Sequence, residues 1–479
     1  MSILGKYEPQ KVFCFFEEIS AIPRGSFHTK AISDYCVAFA KEHDLEVIQD
    51  EMNNILIKKQ GTKGYENSKP VILQGHLDMV CEKTLDSEHD FEKDGLKLFV
   101  EDGFIKAKNT TLGADNGIAI AYALTVLASD TIAHPPIEAL FTVDEEVGMG
   151  GASAFDMSLC VGEFLINMDS DEEGSITVGC AGGCRQSVSL PIEREEKKGT
   201  VLTVDLCGLR GGHSGIEIHE QRGNANKMLA RLLNHMNQQT DIRLLYLQGG
   251  TKDNVITPAA STSFYVTDAV KAERLIEQMQ VIWNTELEDA EPDLQITLTT
   301  TNETIHVLTK ESSDKAIYLL HCTPNGVQAM MRSLDNLVET SLNLGVVSLG
   351  EDTLKLAFSV RSALKSKLTL MQETLKTYAT NAGAKSVVSG EYPPWVYKRD
   401  SKIQEIASTS YEELYGKKPT VSVIHAGLEC GVLSDKKPEL ECISFGPNMY
   451  DIHSVQERLD IASTKRTWEF LKVLLANCK

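Results

Sequence analysis

The sequence has no long apolar run. No stretch of its 479 residues approaches the roughly 18 apolar residues that a membrane-spanning helix needs. Met1–Pro9 holds no apolar core of signal-peptide length, which predicts a cytoplasmic protein. Positive charge is scarce as well, since 47 lysines and arginines face 68 aspartates and glutamates. The formal net charge of -21 repels nucleic acid and anionic membranes, so neither is an expected partner.

The cysteines lack a pairing pattern. Their number, 11, is odd, and the C-x3-C pair Cys180 and Cys184 has no second pair to match it. A zinc ribbon needs two such pairs, so this class of metal site is excluded. We expect the cysteines to be reduced residues of the core or of strands in a cytosolic protein.

The length and the composition indicate a globular protein with more than one domain. A chain of 479 residues is too long for one simple core, so two or three domains are expected. The hydrophobic content of 42% and the charged content of 24% are ordinary for globular proteins. In the first part of the chain, helical spacing alternates with short apolar segments, which predicts an α/β domain with a mainly parallel core.

We predict an α/β fold with a mixed central sheet in a first domain formed by residues 1–184 and 397–479. An α+β lid domain, residues 185–396, interrupts this domain, because the pattern changes near its start and returns near its end. Phe264–Ala269 and Phe358–Ala363 are weakly alike, and each precedes a predicted helix. This likeness predicts a lid of two similar halves.

A histidine and an aspartate follow a predicted strand in the run Gln74–Val80. Val71–Leu73 has the character of a short buried strand. Because alternate residues of a strand point the same way, His76 and Asp78 project from one place at its C-terminal end. Imidazole is a common metal ligand, and a nearby carboxylate can hold its ring. Taken alone, the pair is better explained as a polar strand end beside a histidine with satisfied hydrogen bonds.

Acidic residues follow two further predicted strands. The apolar segment 137–143 ends in Asp144-Glu145-Glu146, and the segment 163–168 ends at Asp169. Crowded carboxylates are costly unless a cation neutralises them, although each run alone is also explained by an exposed acidic turn. In an open α/β sheet, sites are built at the C-terminal edge of the strands. These acids and His76 are therefore expected at that edge.

Asp115 stands at the start of a predicted apolar helix, in the run Gly113-Ala114-Asp115-Asn116-Gly117. The two glycines allow close backbone approach and unusual dihedral angles around it. An aspartate at a helix start is also an ordinary cap. The residue by itself does not decide between a cap and a metal ligand.

In their order along the chain, these motifs resemble those of the di-zinc exopeptidase family of aminoacylases, carboxypeptidase G and carnosine-type dipeptidases. Each motif is short, but five in sequence are specific, and they span most of the chain: His76-x-Asp78, Gly113-x-Asp115-Asn116-Gly117, Asp144-Glu145-Glu146-x-Gly148, Asp169 and His453. Gly75–Val80, Asn167–Asp171 and His425–Glu429 are similar to the aminoacyl-histidine dipeptidase branch of that family.

The resemblance implies a catalytic role for the first domain, with two Zn²⁺ per subunit and Co²⁺ or Mn²⁺ as substitutes. His76 and Asp169 would bind one ion, Glu146 and His453 the other, and Asp115 would bridge them. The resemblance also implies that Asp78 orients His76, that Glu145 is the general base, and that the bond from Asp115 to Asn116 is cis.

For the lid, the resemblance implies that His213 stabilises the oxyanion. Asn254, Arg361 and the backbone of Gly427 would hold the C-terminal end of the substrate. A carboxylate clamp also suits arginine chemically, because guanidinium binds carboxylates through two parallel hydrogen bonds. A polar residue in a flexible glycine loop and a surface arginine on a strand remain the alternatives. His213 could act within one chain or in a partner's site, so a homodimer is left open.

The function that the resemblance implies is hydrolysis of small dipeptides, Xaa-His including β-Ala-His (carnosine) and other unblocked dipeptides, by a zinc-bridged hydroxide with Glu145 as base. Amidohydrolysis of N-acyl amino acids and tripeptide aminopeptidase activity are the alternatives within the family. A metal-binding protein without catalysis is the alternative outside it, and the presence of Glu145 and of every ligand argues against it. The preference for histidine and the physiological metal stay open.

Overall fold

The computed structural model describes residues 2–332 and 337–479. The chain divides into two compact units. The first unit comprises Met1–Cys180, Trp395–Ile424 and Leu428–Lys479, and the second unit comprises Ala181–Pro394 and His425–Gly427. The second unit therefore begins earlier and ends earlier in the chain than the predicted lid. It also takes up residues 425–427, which the sequence analysis placed in the first domain.

The helices form where apolar residues recur at helical spacing. In the first helix, Val12, Phe13, Phe16 and Ile19 share one buried face. The third helix is apolar on all sides and almost entirely buried. The α-helices of the described residues are α1 Gln10–Ser20, α2 Lys30–Glu42, α3 Ala114–Leu127, α4 Gly150–Ala154, α5 Ala225–Asn237, α6 Ala269–Glu286, α7 Lys310–Cys322, α8 Lys365–Ala382, α9 Lys402–Tyr415, α10 Glu429–Lys436 and α11 Ile461–Asn477.

The strands carry the short apolar runs that the sequence analysis singled out. In the first part of the chain they are β1 Glu46–Gln49, β2 Ile55–Lys59, β3 Val71–His76, β4 Leu98–Glu101, β5 Phe104–Ala107, β6 Ile137–Thr142, β7 Phe164–Asn167 and β8 Ser175–Cys180. They continue with β9 Gly182–Pro191, β10 Arg194–Cys207, β11 Gly212–His213, β12 Ile242–Gly249, β13 Val255–Ile256, β14 Ala260–Val266, β15 Gln295–Leu308, β16 Gly326–Met330, β17 Val338–Leu349, β18 Thr353–Ser362 and β19 Lys385–Tyr392. The last are β20 Thr420–Ile424, β21 Glu441–Ser444, β22 Met449–Tyr450 and β23 Arg458–Asp460.

The first unit is built on a mixed sheet, as predicted. Within the described ranges its strand order is β1-β2-β6-β3-β7-β21-β8-β20. The central strands β6, β3, β7 and β21 run parallel, whereas β1 and β2 add antiparallel pairs at one edge. β3, β6 and most of β7 are buried on both faces, which explains their continuous apolar sequence.

The second unit contains two similar halves, which confirms that prediction. Its main sheet has the order β15-β10-β14-β12-β17-β18-β9-β19, and β12 pairs with β17 in the middle. Counted outwards from the middle, one half has the strand order β12, β14, β10, β15. The other half has the corresponding order β17, β18, β9, β19. In each half a long helix, α6 or α8, connects the second of these strands to the edge strand.

Two expectations on sequence composition can be compared with the structure. All the cysteines lie in the described part of the chain and are free, but Cys81, Cys207 and Cys322 are exposed rather than in the core. Cys207 is the last residue of β10, so the expectation of core or strand residues holds for it and is wrong for Cys81 and Cys322. None of the described helices combines the length and the apolar character needed to cross a bilayer.

Candidate metal centre

The parallel strands of the first unit end at one edge of the sheet, and the acidic motifs follow these ends. His76 on β3 is in register with Thr142 on β6, and Gln74 is in register with Asn167 on β7. The side chains that follow these positions therefore meet, as predicted for an open α/β sheet.

Asp115 lies between two imidazole rings. Its Oδ1 is 3.1 Å from Nε2 of His76, and its Oδ2 is 3.2 Å from Nε2 of His453. His453 Nε2 also lies 3.0 Å from Oε2 of Glu146, and His76 Nε2 lies 3.7 Å from Oδ1 of Asp169. The structure therefore brings the five predicted ligands together around one carboxylate, with one imidazole on each of its oxygens.

This donor set fits divalent cations. One ligand atom from each of His76, Asp115 and Glu146 lies within 4.8 Å of the others. Oε1 of Glu146 is buried and has no hydrogen-bond partner among the described residues. An acceptor in that situation costs free energy unless a positive charge satisfies it. Imidazole nitrogens with carboxylate oxygens suit zinc, and the same ligands accept cobalt or manganese.

The pKa values of the predicted ligands also show that this cluster favours positive charge. Hydrogen bonds with Asp115 and Glu146 raise the pKa of His453 to about 11. Burial lowers the pKa of His76, but Asp169, Asp115 and Asp78 outweigh burial and raise it well above its usual value. Burial raises the pKa of Asp169 to about 6, and His76 opposes that shift. The carboxylates of the cluster thus favour positive charge at the two imidazoles.

Glu145 differs from the predicted ligand Glu146, because it lies beside the metal centre but forms no ion pair with His76 or His453. Burial raises the pKa of Glu145 well above its usual value, and Asp169 and Glu429 add to the shift while His76 opposes it. A carboxylate with high proton affinity beside a metal centre is suited to accept a proton during a reaction.

Asp78 holds the elements of the centre together. Its Oδ1 lies 3.4 Å from Nδ1 of His76, the ring that it is predicted to orient. The same carboxylate accepts hydrogen bonds from the backbone N–H groups of Glu145 and Glu146 at 3.1 and 3.3 Å and from Ser26 Oγ at 2.8 Å. Asp78 therefore also fixes the turn that carries the candidate base, which the sequence did not indicate.

Asn116 and Gly75 bring helix α3 against strand β3. The Asp115–Asn116 peptide bond is cis, as the resemblance implied. Asn116 Oδ1 accepts the N–H of His76 at 3.1 Å, and its Nδ2 donates to Met168 O at 2.8 Å. A Cβ at Gly75 would lie only 2.5 Å from Asn116 Oδ1, so a larger residue there would separate the two elements.

Arg24 is a buried residue that sequence reasoning missed. Its guanidinium donates to the carbonyl oxygens of Leu77 at 3.0 Å, of Asp78 at 3.1 Å and of Gly113. Gly113 has a φ of 65°, and a Cβ there would lie 2.5 Å from the guanidinium. A lone arginine in a turn gives no signal in a single sequence, because its carbonyl partners are distant in the chain.

Glu457 is the second missed residue, and it caps the loop that presents Asp115. Its carboxylate accepts the N–H groups of Leu112, Gly113 and Ala114 at 2.7 to 2.9 Å and lies 3.4 Å from that of Asp115. Burial raises the pKa of Glu457. The carboxylate replaces water for a run of amide groups at a helix start.

Glu457→Gln is expected to lower the free energy of unfolding by about 1.5–3 kcal/mol, the range for hydrogen bonds to a charged group. It is also expected to weaken metal binding, because the Asp115 loop loses its anchor. Urea unfolding and metal titration measure the two effects. Glu413→Gln, at an exposed position of α9, is the control and should change neither. Equal stability of the two variants would contradict the capping role.

Glu429 forms a buried polar network below the strand ends. Its Oε2 accepts hydrogen bonds from Gln74 Nε2 at 2.5 Å and Thr142 Oγ1 at 2.6 Å, and Gln74 in turn accepts from Asn167 Nδ2 at 2.5 Å. Burial raises the pKa of Glu429 to about 7, and His76 opposes the shift. The network ties α10 to β3, β6 and β7. The sequence indicated Glu429 only as part of a branch motif.

The four residues predicted to contact the substrate outside the metal centre all belong to the second unit, including Gly427, which was predicted in the first domain. His213 lies on β11, which pairs with β13. Burial and the charge of Arg361 lower the pKa of His213 to about 4, and Glu217 opposes the shift. Arg361 on β18 is buried, and its Nη1 donates to Tyr392 OH at 3.0 Å. The carbonyl of Asn254 accepts the N–H of Ser214 at 2.9 Å, and Gly427 ends the short segment His425–Gly427. Their roles towards a substrate stay predictions.

The first unit has an α/β sheet with a parallel centre, and imidazoles and carboxylates converge at the C-terminal edge of that sheet. Beside them lies a carboxyl group with a high proton affinity. This combination defines a metal-dependent hydrolase. Residues 72–477 match the model of a known family of such enzymes, and the chain belongs to that family, peptidase family M20/M25/M40.

The comparisons with individual proteins agree with this membership. The chain is 39% identical over 483 residues to the cytosol non-specific dipeptidase of Escherichia coli strain K12, covering 99% of both chains. The crystal structure of aminoacylhistidine dipeptidase from Vibrio alginolyticus is 37% identical with a TM-score of 0.90, covering 98% of this chain and 97% of that chain. Aminopeptidase PepT from Bacillus cereus, at 16% identity and a TM-score of 0.56 over 99% of this chain and all of that chain, shares the fold.

Proposed function

We propose that this protein hydrolyses unblocked dipeptides, among them Xaa-His and β-Ala-His, with two divalent cations per subunit. The observation that carries the proposal is Asp115, whose two oxygens each face an imidazole in a cluster of acids. Two relatives that this chain matches over nearly their full length are named as dipeptidases, one an aminoacylhistidine dipeptidase and the other a non-specific dipeptidase. We also propose a cytoplasmic location, following the name of the Escherichia coli relative.

We assign the ligands as the resemblance implied. His76 and Asp169 would hold one ion, Glu146 and His453 the other, and Asp115 would be shared. When bound, two divalent ions supply Lewis-acid activation of water and of the peptide carbonyl. Zinc is the first candidate, and cobalt or manganese would replace it.

The protein groups move the protons. Glu145 would accept a proton from the attacking water and pass it to the leaving amine as the C–N bond breaks, so no net proton is consumed. Asp78 keeps Glu145 in place through the backbone N–H of that residue. His213 is neutral near pH 7, and its N–H would stabilise the developing charge on the carbonyl oxygen. Arg361 would bind the terminal carboxylate through its guanidinium.

A substrate panel with metal analysis tests the proposal. We expect the purified protein to hold two divalent ions per chain and to cleave Ala-His, β-Ala-His and Ala-Ala. N-acetyl-alanine and Ala-Ala-Ala are expected to be poor substrates. Preferred cleavage of the N-acetyl amino acid or of the tripeptide would replace the proposal with the corresponding alternative. Metal content of two with no hydrolysis of any substrate would favour a binding protein.

A further inference from the structure

His425 is a buried histidine of the second unit that the steps above do not use. Its ring Nε2 lies 2.7 Å from Ser341 Oγ. Its Nδ1 is buried and has no hydrogen-bond partner in residues 2–332 and 337–479. A buried polar atom in that state reduces stability, so its presence calls for an explanation such as a ligand.

Arg361 stands next to this histidine. Ser341 on β17 and Arg361 on β18 are direct cross-strand partners, and such residues project on the same face about 4.5–5.5 Å apart at Cβ. Nε of Arg361 is also buried without a partner among the described residues, while its Nη1 is taken by Tyr392. Two unsatisfied nitrogen atoms, one from each side chain, thus occur in one small region.

His425 is neutral near pH 7 and has one ring N–H donor and one acceptor nitrogen. Burial lowers the pKa of His425 to about 3, Arg361 and His213 add to the shift, and the backbone of Val338 opposes it. The ring is therefore neutral near pH 7 and carries one N–H. If the Ser341 hydroxyl donates to Nε2, that N–H is on Nδ1. A ligand with acceptor oxygens, bound between His425 and Arg361, would favour the tautomer with the proton on Nδ1. In that tautomer both side chains donate a hydrogen bond to the ligand.

We propose that His425, oriented by Ser341, is a specificity-determining residue that binds the free carboxylate of the dipeptide's C-terminal residue together with Arg361. A group with two acceptor oxygens matches one guanidinium N–H and one imidazole N–H, and a dipeptide has one such group. The inference rests on the proposed function and adds to it a second donor for the carboxylate. Its consequence is a strong preference for a free C-terminus over a carboxamide.

The experiment compares Ala-Ala with Ala-Ala amide in wild-type protein and in His425 variants. His425→Ala is expected to lower kcat/KM for Ala-Ala by about 10- to 100-fold, mainly through KM, as for a lost hydrogen bond to a charged group. Hydrolysis of the amide should change little, so the acid-to-amide ratio falls. His425→Asn keeps a donor near the place of Nδ1 and should retain most of the ratio.

Two serine variants separate orientation from general disturbance. Ser341→Ala removes the hydroxyl that orients the ring, so the ratio should fall, though less than in His425→Ala. Ser362→Ala is the matched control, since Ser362 is equally buried on β18 but bonds Thr340 on the other face of the strand pair, and it should leave the ratio unchanged.

The outcomes distinguish failure of the role of His425 from failure of the proposed dipeptidase function. An equal loss for acid and amide in His425→Ala, or an unchanged ratio in both His425→Ala and Ser341→Ala, would overturn the inference while the dipeptidase function stands. A wild-type protein that cleaves no dipeptide would overturn the proposed function and the inference with it. If His425→Ala does not fold, as judged by circular dichroism, Ser341→Ala against Ser362→Ala decides.

Discussion

Glu145→Gln is expected to lower kcat for dipeptide hydrolysis by about 10²–10⁴-fold, the usual contribution of a general acid–base group. The amide is nearly isosteric with the carboxylate, but it cannot take a proton from water. The backbone N–H of residue 145, which binds Asp78, is kept, so the turn should hold its shape. Metal content should remain at the wild-type level. Steady-state kinetics with metal analysis of the same sample measures both quantities.

Asp144→Asn is the matched control for this experiment. Asp144 is the preceding acid, with a left-handed φ of 57° that asparagine tolerates. Its carboxylate accepts the N–H of Phe27 at 2.6 Å, a bond that an amide oxygen can also accept. Asp144 is buried, but the amide keeps the hydrogen bond from Phe27, so we expect this variant to keep activity within a few-fold of wild type. Substantial turnover by Glu145→Gln would show that another group is the base.

Asp115→Asn is expected to remove both metal ions and to lower hydrolysis by at least about a thousandfold, because a divalent ion supplies several kcal/mol of transition-state stabilisation. The physical reason is the position of Asp115 between His76 and His453, with one oxygen towards each. A neutral amide offers one acceptor oxygen and no charge, so it cannot serve both sides of the cluster.

Metal content after dialysis, together with residual activity at saturating added zinc, measures the effect. Asp130→Asn, at an exposed position just beyond the C-terminal end of α3, is the control and should retain the full metal content. Loss of one ion with the second retained would show that Asp115 serves a single position. Retention of both ions would contradict the shared role altogether.

The sequence indicated Glu145 and Asp115 themselves, but it indicated the structure around them only in part. Short apolar runs followed by acids predicted strands with functional ends, and the periodicity of the chain predicted most helices. The mixed sheet and the two similar halves of the second unit followed from the same patterns together with the family resemblance. The exact ends of elements were less reliable. Helix α3, for example, spans Ala114–Leu127, but Asp115 and Asn116 inside it have non-helical dihedral angles, so the regular helix begins only after them.

The supporting residues could not be predicted because their partners are distant in the chain. Arg24 donates to carbonyl groups some fifty and ninety residues away, and Glu457 accepts from amides more than three hundred residues before it. Backbone groups carry no signature in the sequence, so nothing marks them as the partners of a particular arginine or glutamate. Only the folded chain brings them to the loop that presents Asp115.

The sequence by itself determined which chemical groups this protein has and the strands and helices that carry them, because hydrophobic period and local acid or histidine motifs are properties of neighbouring residues. The tertiary structure decided that His76, Asp115 and His453 meet and that Asp78 also supports the turn of Glu145. It also decided that His425 bonds Ser341, the cross-strand partner of Arg361. These relations depend on strand order and cross-strand register, which long-range packing sets and a local pattern does not contain.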